Sequence, residues 1–166
     1  SSGIEIDRLI AYKPLVDKAI ELATHKPKKV IVFNRKLGAR IPFKKYDVDY
    51  DALVYGSEET PCVAVNATHP LYVLYTSGTT GKPKGAQHVH YSLISQYITA
   101  KYVLDIKDED IYWCTADPGW VTGTSYGIIG AWANAATQCV LDAGFKAESW
   151  YKFIEKHRVT VWYSAP

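Results

Sequence analysis

Leu71-Tyr72-Val73-Leu74-Tyr75 runs directly into Thr76-Ser77-Gly78-Thr79-Thr80-Gly81-Lys82-Pro83-Lys84-Gly85. The first half is a short apolar run rich in aromatic and branched residues, which predicts a strand. The second half holds three glycines, four hydroxyl side chains and two lysines. Glycine lets a backbone approach a ligand closely, hydroxyls donate to phosphate oxygens, and lysine supplies the opposite charge. An ordinary solvated turn seldom combines all three, so the loop reads as a phosphate grip. Its spacing is not that of the common nucleotide loops. A Walker A loop needs G-x-x-x-x-G-K-[ST], whereas only two residues separate Gly78 from Gly81, and Lys82 is followed by Pro83. The first G-x-G step of a dinucleotide fingerprint is also missing.

On the C-terminal side, residues 91–104 predict a helix carrying Leu93, Ile94, Tyr97, Ile98 and Leu104, so the loop is expected to join a strand to a helix. Beyond it come a strand over 110–115, a turn at Asp117-Pro118-Gly119, a small-residue helix over 125–135 and a strand over 137–141. A helix over 147–157 and a strand over 159–163 follow. On the N-terminal side, Leu15, Val16, Ala19, Ile20 and Ala23 predict an amphipathic helix over 14–24, and residues 29–34 predict a buried strand. Residues 35–68 predict loops around one short helix at most. Strands alternating with helices of this length imply an α/β fold with a mostly parallel sheet and flanking helices.

The chain has 166 residues, 48% hydrophobic and 22% charged, which suits about one globular domain and excludes a disordered tail. Nineteen basic against seventeen acidic residues leave a net charge of +2, which gives no reason for nucleic acid or a membrane surface as partner. No apolar run approaches the ~18 residues of a membrane span. The three cysteines, Cys62, Cys114 and Cys139, lack C-x-x-C spacing and predict buried free thiols in a reducing compartment. That compartment is the cytoplasm, or the mitochondrial matrix in a eukaryote. With no methionine and a strand-like run at its end, the chain reads as a fragment, so the remainder of its own polypeptide is an expected partner.

Thr76 to Gly85, with Tyr75 before it, resembles the signature loop of AMP-forming acyl-CoA synthetases of the adenylate-forming superfamily. Ile111-Tyr112-Trp113-Cys114-Thr115-Ala116-Asp117-Pro118-Gly119-Trp120-Val121-Thr122-Gly123 resembles the acyl-pocket segment of the acetyl- and propionyl-CoA synthetase branch. Tyr163-Ser164-Ala165-Pro166 is similar to the start of the next family motif, and residues 3–17 are similar to the propionyl branch. The resemblance implies that residues 1–166 are part of an N-terminal AMP-binding domain, with the C-terminal domain absent.

It further implies ligation of a small carboxylate, acetate or propionate, to coenzyme A through an acyl-adenylate, with ATP, Mg2+ and coenzyme A consumed or used by the full-length enzyme. Thr76, Ser77, Gly78, Thr79, Thr80, Gly81, Lys82, Lys84 and Gly85 would hold the ATP phosphates. Trp120, Val121 and Thr122 would line the acyl pocket, Arg8 and Thr122 would serve coenzyme A, and no catalytic or metal-binding residue is expected in the fragment, which alone is expected to be inactive. The sequence departs from the acetyl-type pattern at Thr124, where histidine is usual, and at Pro118. His88-x-His90 could form half of a metal site, but without a third ligand nearby a core or surface role is favoured. Two alternatives stay open: an adenylation domain that loads a carrier protein, and a non-catalytic nucleotide-binding fragment.

Overall fold

Residues 2–5, 8–38, 41–77 and 81–165 are described by the computed structural model. They fall into two units, residues 1–62 with 142–145 and residues 63–141 with 146–166.

The first unit opens with an antiparallel pair, β1 (Ser2–Glu5) and β2 (Arg8–Ala11), which the sequence reading did not foresee. At Gly3 the Tyr12 ring packs onto the backbone, where a Cβ would lie 2.7 Å from it and the ring would have to swing away. Helix α1 (Tyr12–Leu22) starts two residues before the expected Pro14, which falls within the first turn, where a missing N–H costs nothing. Strands β3 (Val30–Val32) and β4 (Asp47–Asp49) pair in parallel, and α2 (Tyr50–Val54) follows, its first turn capped by the Asp49 side chain accepting from the Ala52 N–H. The 29–34 run is not the wholly buried strand expected: Val32 is buried, but Ile31 is 61% exposed.

The apolar stripe of α1 is not its buried face. Leu15 and Val16 are exposed, whereas Lys13 and Asp17 are buried. Lys13 pairs with Asp17 one turn away and with Asp47 at 2.8 Å, and the Tyr46 hydroxyl donates to Asp17 at 2.8 Å. Burial opposes the Lys13 ammonium, but hydrogen bonds to Asp17 and Asp47 outweigh it and hold the group above the ordinary lysine range. The Lys13 hydrogen bond holds Asp17 below the ordinary carboxylate range, against burial and with help from Tyr46. A raised ammonium stabilises the fold below its unfolded pKa, and that contribution is lost as pH rises through the folded value. A lowered carboxylate stabilises above its unfolded pKa, and that contribution is lost as pH falls through the folded value. The pair therefore stabilises across the window between the two. Asp17→Asn is expected to lower Tm near neutral pH, with the difference from the parent closing in acid as pH falls through the lowered Asp17 value. An equal loss of Tm at both pH values would assign the effect to packing instead.

The second unit begins with β5 (Pro70–Thr76) and β6 (Lys84–Val89), an antiparallel hairpin, followed by α3 (Ser92–Tyr102). Next come β7 (Ile111–Cys114), α4 (Val121–Thr124), a π-helical turn (Ser125–Ile129) and α5 (Gly130–Ala133). Then β8 (Thr137–Gln138), α6 (Ala147–His157) and β9 (Val161–Tyr163) complete it. β8, β7 and β9 form a parallel sheet with β7 in the centre. The alternation along β7 puts successive side chains on opposite faces. Tyr112, fully buried, meets a cluster with Ala100 of α3, Ile106, Ala131 of α5 and Ala136. Trp113, 2% exposed, meets Trp150 and Phe153 of α6, with ring centroids 5.0 Å and 4.7 Å away. A parallel sheet clad by helices on both faces is the α/β arrangement expected. Burial, together with neighbouring Cys114, drives the Tyr112 phenol far up from its ordinary range, so it stays neutral.

The cysteine expectation needs one correction: Cys62 is exposed, Cys114 and Cys139 are half-buried, and all three are free. Burial pushes the Cys139 thiol up. Among the described residues no helix is long and apolar enough to cross a membrane.

Candidate active site

The phosphate-loop residues do not connect strand to helix, as expected; they connect β5 to β6, and the helix follows only after β6. Tyr75 pairs with Gly85 and Thr76 with Lys84, so the two strands are in register up to the start of the candidate loop, with Ser77 and residues 81–83 next to the last pair. The antiparallel ladder pairs the backbone of residues 72–76 with that of residues 84–88 and so fixes where the candidate loop leaves and re-enters the hairpin. Thr76, Ser77, Gly81, Lys82, Lys84 and Gly85 are all exposed. Gly81 has φ +79°, a left-handed conformation that favours glycine, and a Cβ there would meet nothing within 4 Å, so the demand is conformational. At Gly85 the demand is steric: a Cβ would lie 3.1 Å from Val73 Cγ1 and 3.4 Å from the Tyr75 ring. Gly78, Thr79 and Thr80 lie outside the described residues.

The base of the hairpin is fixed by the cross-strand partners Tyr72 and His88, whose rings stack with centroids 4.6 Å apart. His90 lies beyond the end of β6 and meets the His69 ring at 6.0 Å. The two histidines thus have different ring partners, and among the described residues no cluster of three or more His, Cys, Asp or Glu could hold a metal ion.

The second segment leaves the carboxyl end of β7, the edge of a parallel sheet at which ligands gather in open α/β folds. Asp117 makes the exit turn: its Oδ1 accepts from the Gly119 N–H at 2.6 Å, and its backbone oxygen accepts from the Trp120 N–H at 3.0 Å. The Thr124 hydroxyl donates to the Pro118 carbonyl at 2.6 Å, which brings the two departures from the acetyl-type pattern into contact. Gly123 lies under this turn, so close that a Cβ would be 2.0 Å from the Asp117 oxygen. The result presents Trp120 63% exposed and Val121 47% exposed, with Thr122 half-buried at the first turn of α4. From the carboxyl end of β9, the Ser164 hydroxyl accepts from the Thr115 hydroxyl at 3.0 Å. Both the loop and the Trp120–Thr122 segment belong to the second unit. Arg8 belongs to the first, exposed on β2 opposite Glu5.

Residues 5–166 match the family described as AMP-binding enzyme. The chain belongs to the AMP-binding enzyme family. Among its relatives in this family, an acetyl-coenzyme A synthetase of Methylobacterium radiotolerans is 41% identical over 174 aligned residues, covering 99% of this chain and 26% of the relative. An acetyl-coenzyme A synthetase of Bacillus subtilis is 63% identical over 92 residues, covering 55% of this chain and 16% of the relative. The crystal structure of a Brucella canis acyl-CoA synthetase superposes with a TM-score of 0.77 at 25% identity, over 92% of this chain and 27% of that one. This AMP-binding enzyme chain therefore spans at most about a quarter of the length of these curated relatives, 26% and 16%.

Two structural demands are not legible in the sequence. Gly123 closes the quoted motif, but nothing there shows its steric demand, because the tight contact is with a backbone oxygen six residues earlier. Gln96, in the middle of α3, has no pattern to mark it, yet it is buried against Tyr72 and Ser125.

Proposed function

We propose that these residues are part of the N-terminal domain of an AMP-forming ligase that joins acetate or propionate to coenzyme A. The observation that carries this reading is the pair of exposed segments in one unit: the glycine–lysine hairpin tip and the Trp120-Val121-Thr122 turn. The likeness to acetyl-coenzyme A synthetases along 99% of the chain supports it.

A carboxylate oxygen is a poor leaving group, and conversion to an AMP ester makes it a good one. In the first step a carboxylate oxygen attacks the α-phosphorus of ATP, the bond to the β-phosphate breaks, and the electron pair departs on pyrophosphate. Thr76, Ser77, Thr79 and Thr80, the N–H groups near Gly78, Gly81 and Gly85, and the Lys82 and Lys84 ammonium groups hold the phosphates and stabilise the charge that gathers on them. Trp120 and Val121 shape a cavity for a short apolar acyl tail. In the second step the coenzyme A thiolate attacks the acyl carbonyl and AMP leaves, with Thr122 and Arg8 on the coenzyme A side. Among the described residues no three His, Cys, Asp or Glu side chains gather as a metal site. Mg2+ would be held chiefly by the ATP phosphates, an arrangement that needs few protein carboxylates.

The test is carboxylate-dependent exchange of pyrophosphate into ATP by the full-length protein, with acetate, propionate and butyrate. Exchange with the shorter acids is expected, and none with any acid would overturn the reading. Val121→Ala makes room for about two methylene groups of substrate, each contributing about 0.8 kcal/mol when buried. Pocket discrimination by one methylene is about 1–3 kcal/mol. The variant is therefore expected to move the kcat/KM ranking toward the longer acids by about tenfold or more. Thr122→Val should instead slow thioester formation for all acids alike. An unchanged ranking in Val121→Ala would remove Trp120–Thr122 from the acyl pocket.

A further inference from the structure

Gln96 faces inward from the middle of α3 and is 7% exposed. Its Nε2 donates to the Tyr72 phenolic oxygen at 3.1 Å and to the Ser125 Oγ at 3.1 Å. Its Oε1 is buried with no hydrogen-bond partner among the described residues. A buried polar group left unsatisfied costs about 1–3 kcal/mol. An apolar side chain of similar volume would avoid that cost if filling space were all that the position required. The amide does what a leucine cannot: it ties two elements together through their hydroxyls.

Those two elements carry the two halves of the site. Tyr72 lies on β5 four residues before Thr76, where the phosphate loop begins, and is clamped from its other side by His88. Ser125 lies three residues after Thr122 and opens the π turn, its carbonyl accepting from the Gly130 N–H. A π turn inside a helix is uncommon and often found at functional sites. The backbone around it is tight: a Cβ on Gly130 would lie 3.0 Å from the Ser125 oxygen and 3.1 Å from the Gln96 oxygen. Both are backbone oxygens, so α3 and the π turn pack closely where the Gln96 side chain meets Ser125.

We infer that Gln96 is a positioning residue for the adenylation step, holding the phosphate loop and the acyl segment in the relative placement that step requires. The inference rests on the proposed ligase activity. In adenylation the carboxylate, held near Trp120–Thr122, must reach the α-phosphorus of a nucleotide whose phosphates are held at residues 76–85. Its rate depends on the mutual geometry of the two segments, and a misplacement of about 1 Å can cost about a hundredfold. Thioester formation takes place after pyrophosphate has left, so it does not need the phosphate loop in register with the acyl segment.

The experiment uses the full-length protein and its Gln96→Leu, Tyr72→Phe and Ser125→Ala variants. Each is assayed for acetate-dependent pyrophosphate exchange and, separately, for thioester formation from supplied acetyl-adenylate and coenzyme A. Gln96→Leu is expected to lower the exchange kcat by about tenfold to a hundredfold, with thioester formation within about twofold of the parent. Tyr72→Phe and Ser125→Ala should each show part of the same selective loss. Combining either with Gln96→Leu should cost little more than Gln96→Leu alone, because the shared network is already broken. Equal losses in both half-reactions would make Gln96 a folding residue and overturn the inference, as would unchanged exchange. If Gln96→Leu does not yield folded protein, the two hydroxyl deletions carry the same comparison. Failure of the parent in exchange overturns the ligase reading itself, and so is distinct from failure of the variants alone.

Discussion

Gly123→Ala is expected to lower carboxylate-dependent pyrophosphate exchange about a hundredfold or more, while the hairpin that carries the phosphate loop stays intact. The added Cβ would lie 2.0 Å from the Asp117 oxygen, 2.4 Å from the Asp117 carbonyl carbon and 2.8 Å from the Ala116 oxygen. All three are backbone atoms, so no side chain can rotate away to make room. The turn has to lift off α4, and in doing so it breaks the 3.0 Å bond from the Trp120 N–H to the Asp117 oxygen. Overpacking of this kind costs about 1–3 kcal/mol of stability. The larger effect falls on Trp120 and Val121, which move with the turn; a displacement near 1 Å is enough for about a hundredfold loss. Gly127→Ala is the control, because its Cβ would meet only the Cys114 side chain, with Sγ at 3.3 Å. It should lower Tm modestly and leave the acid preference alone. Parent-like kcat/KM for acetate in Gly123→Ala would take the turn away from the reacting centre.

The elements legible in the sequence were those whose own side chains provide the packing. Helix α6 coincides with the expected 147–157 because Trp150 and Phe153 recur at helical spacing toward Trp113, and charges complement its ends: Glu148 in the first turn, Lys156 in the last. Strand β5 extends one residue beyond each end of its apolar run. Strand β6 was illegible because Lys84-Gly85-Ala86-Gln87 has little strand propensity; pairing with β5 makes it a strand. The β1–β2 hairpin, four residues a side, is set by the same kind of partner effect. Helix α1 misleads in another way, since Leu15, Val16 and Ala19 of its periodic apolar set are exposed and Ile20 only half-buried, while an ion pair is buried. Periodicity reports an apolar face but not which neighbour covers it.

The candidate site divides along the same line. Composition alone marks residues 76–85 as a candidate phosphate grip, because glycine, hydroxyl and lysine side chains together suit a phosphate. Spacing alone did not distinguish Trp120 from a core aromatic; its 63% exposure does, within the described residues. The contacts that hold these pieces were out of reach. Asp117 to Gly123, Thr124 to Pro118, and Gln96 to both Tyr72 and Ser125 are each a match between a short polar or missing side chain and an atom that only the fold brings near.

Lys82→Ala is the second large effect, and it separates binding chemistry from folding. Lys82 stands exposed on the hairpin tip, and among the described residues no carboxylate pairs with it. Among the described residues its removal breaks no ion pair, and Tm should stay within about a degree of the parent, as for an ordinary surface substitution. A hydrogen bond to a charged group contributes about 1.5–3 kcal/mol, which amounts to about tenfold to 150-fold in kcat/KM for ATP. The loss grows if the contact strengthens as charge builds on departing pyrophosphate, and it then appears in kcat as well. KM for the carboxylate should move by less than about threefold, because the acid is held elsewhere. Thioester formation from supplied acetyl-adenylate should not change, since no pyrophosphate remains for Lys82 to meet. Lys82→Arg, which keeps the charge but not the point geometry, should recover part of the loss. If Lys82→Ala exchanges pyrophosphate as the parent does, the ammonium is a surface charge, and the phosphate grip falls to the backbone and hydroxyls of Thr76 and Ser77.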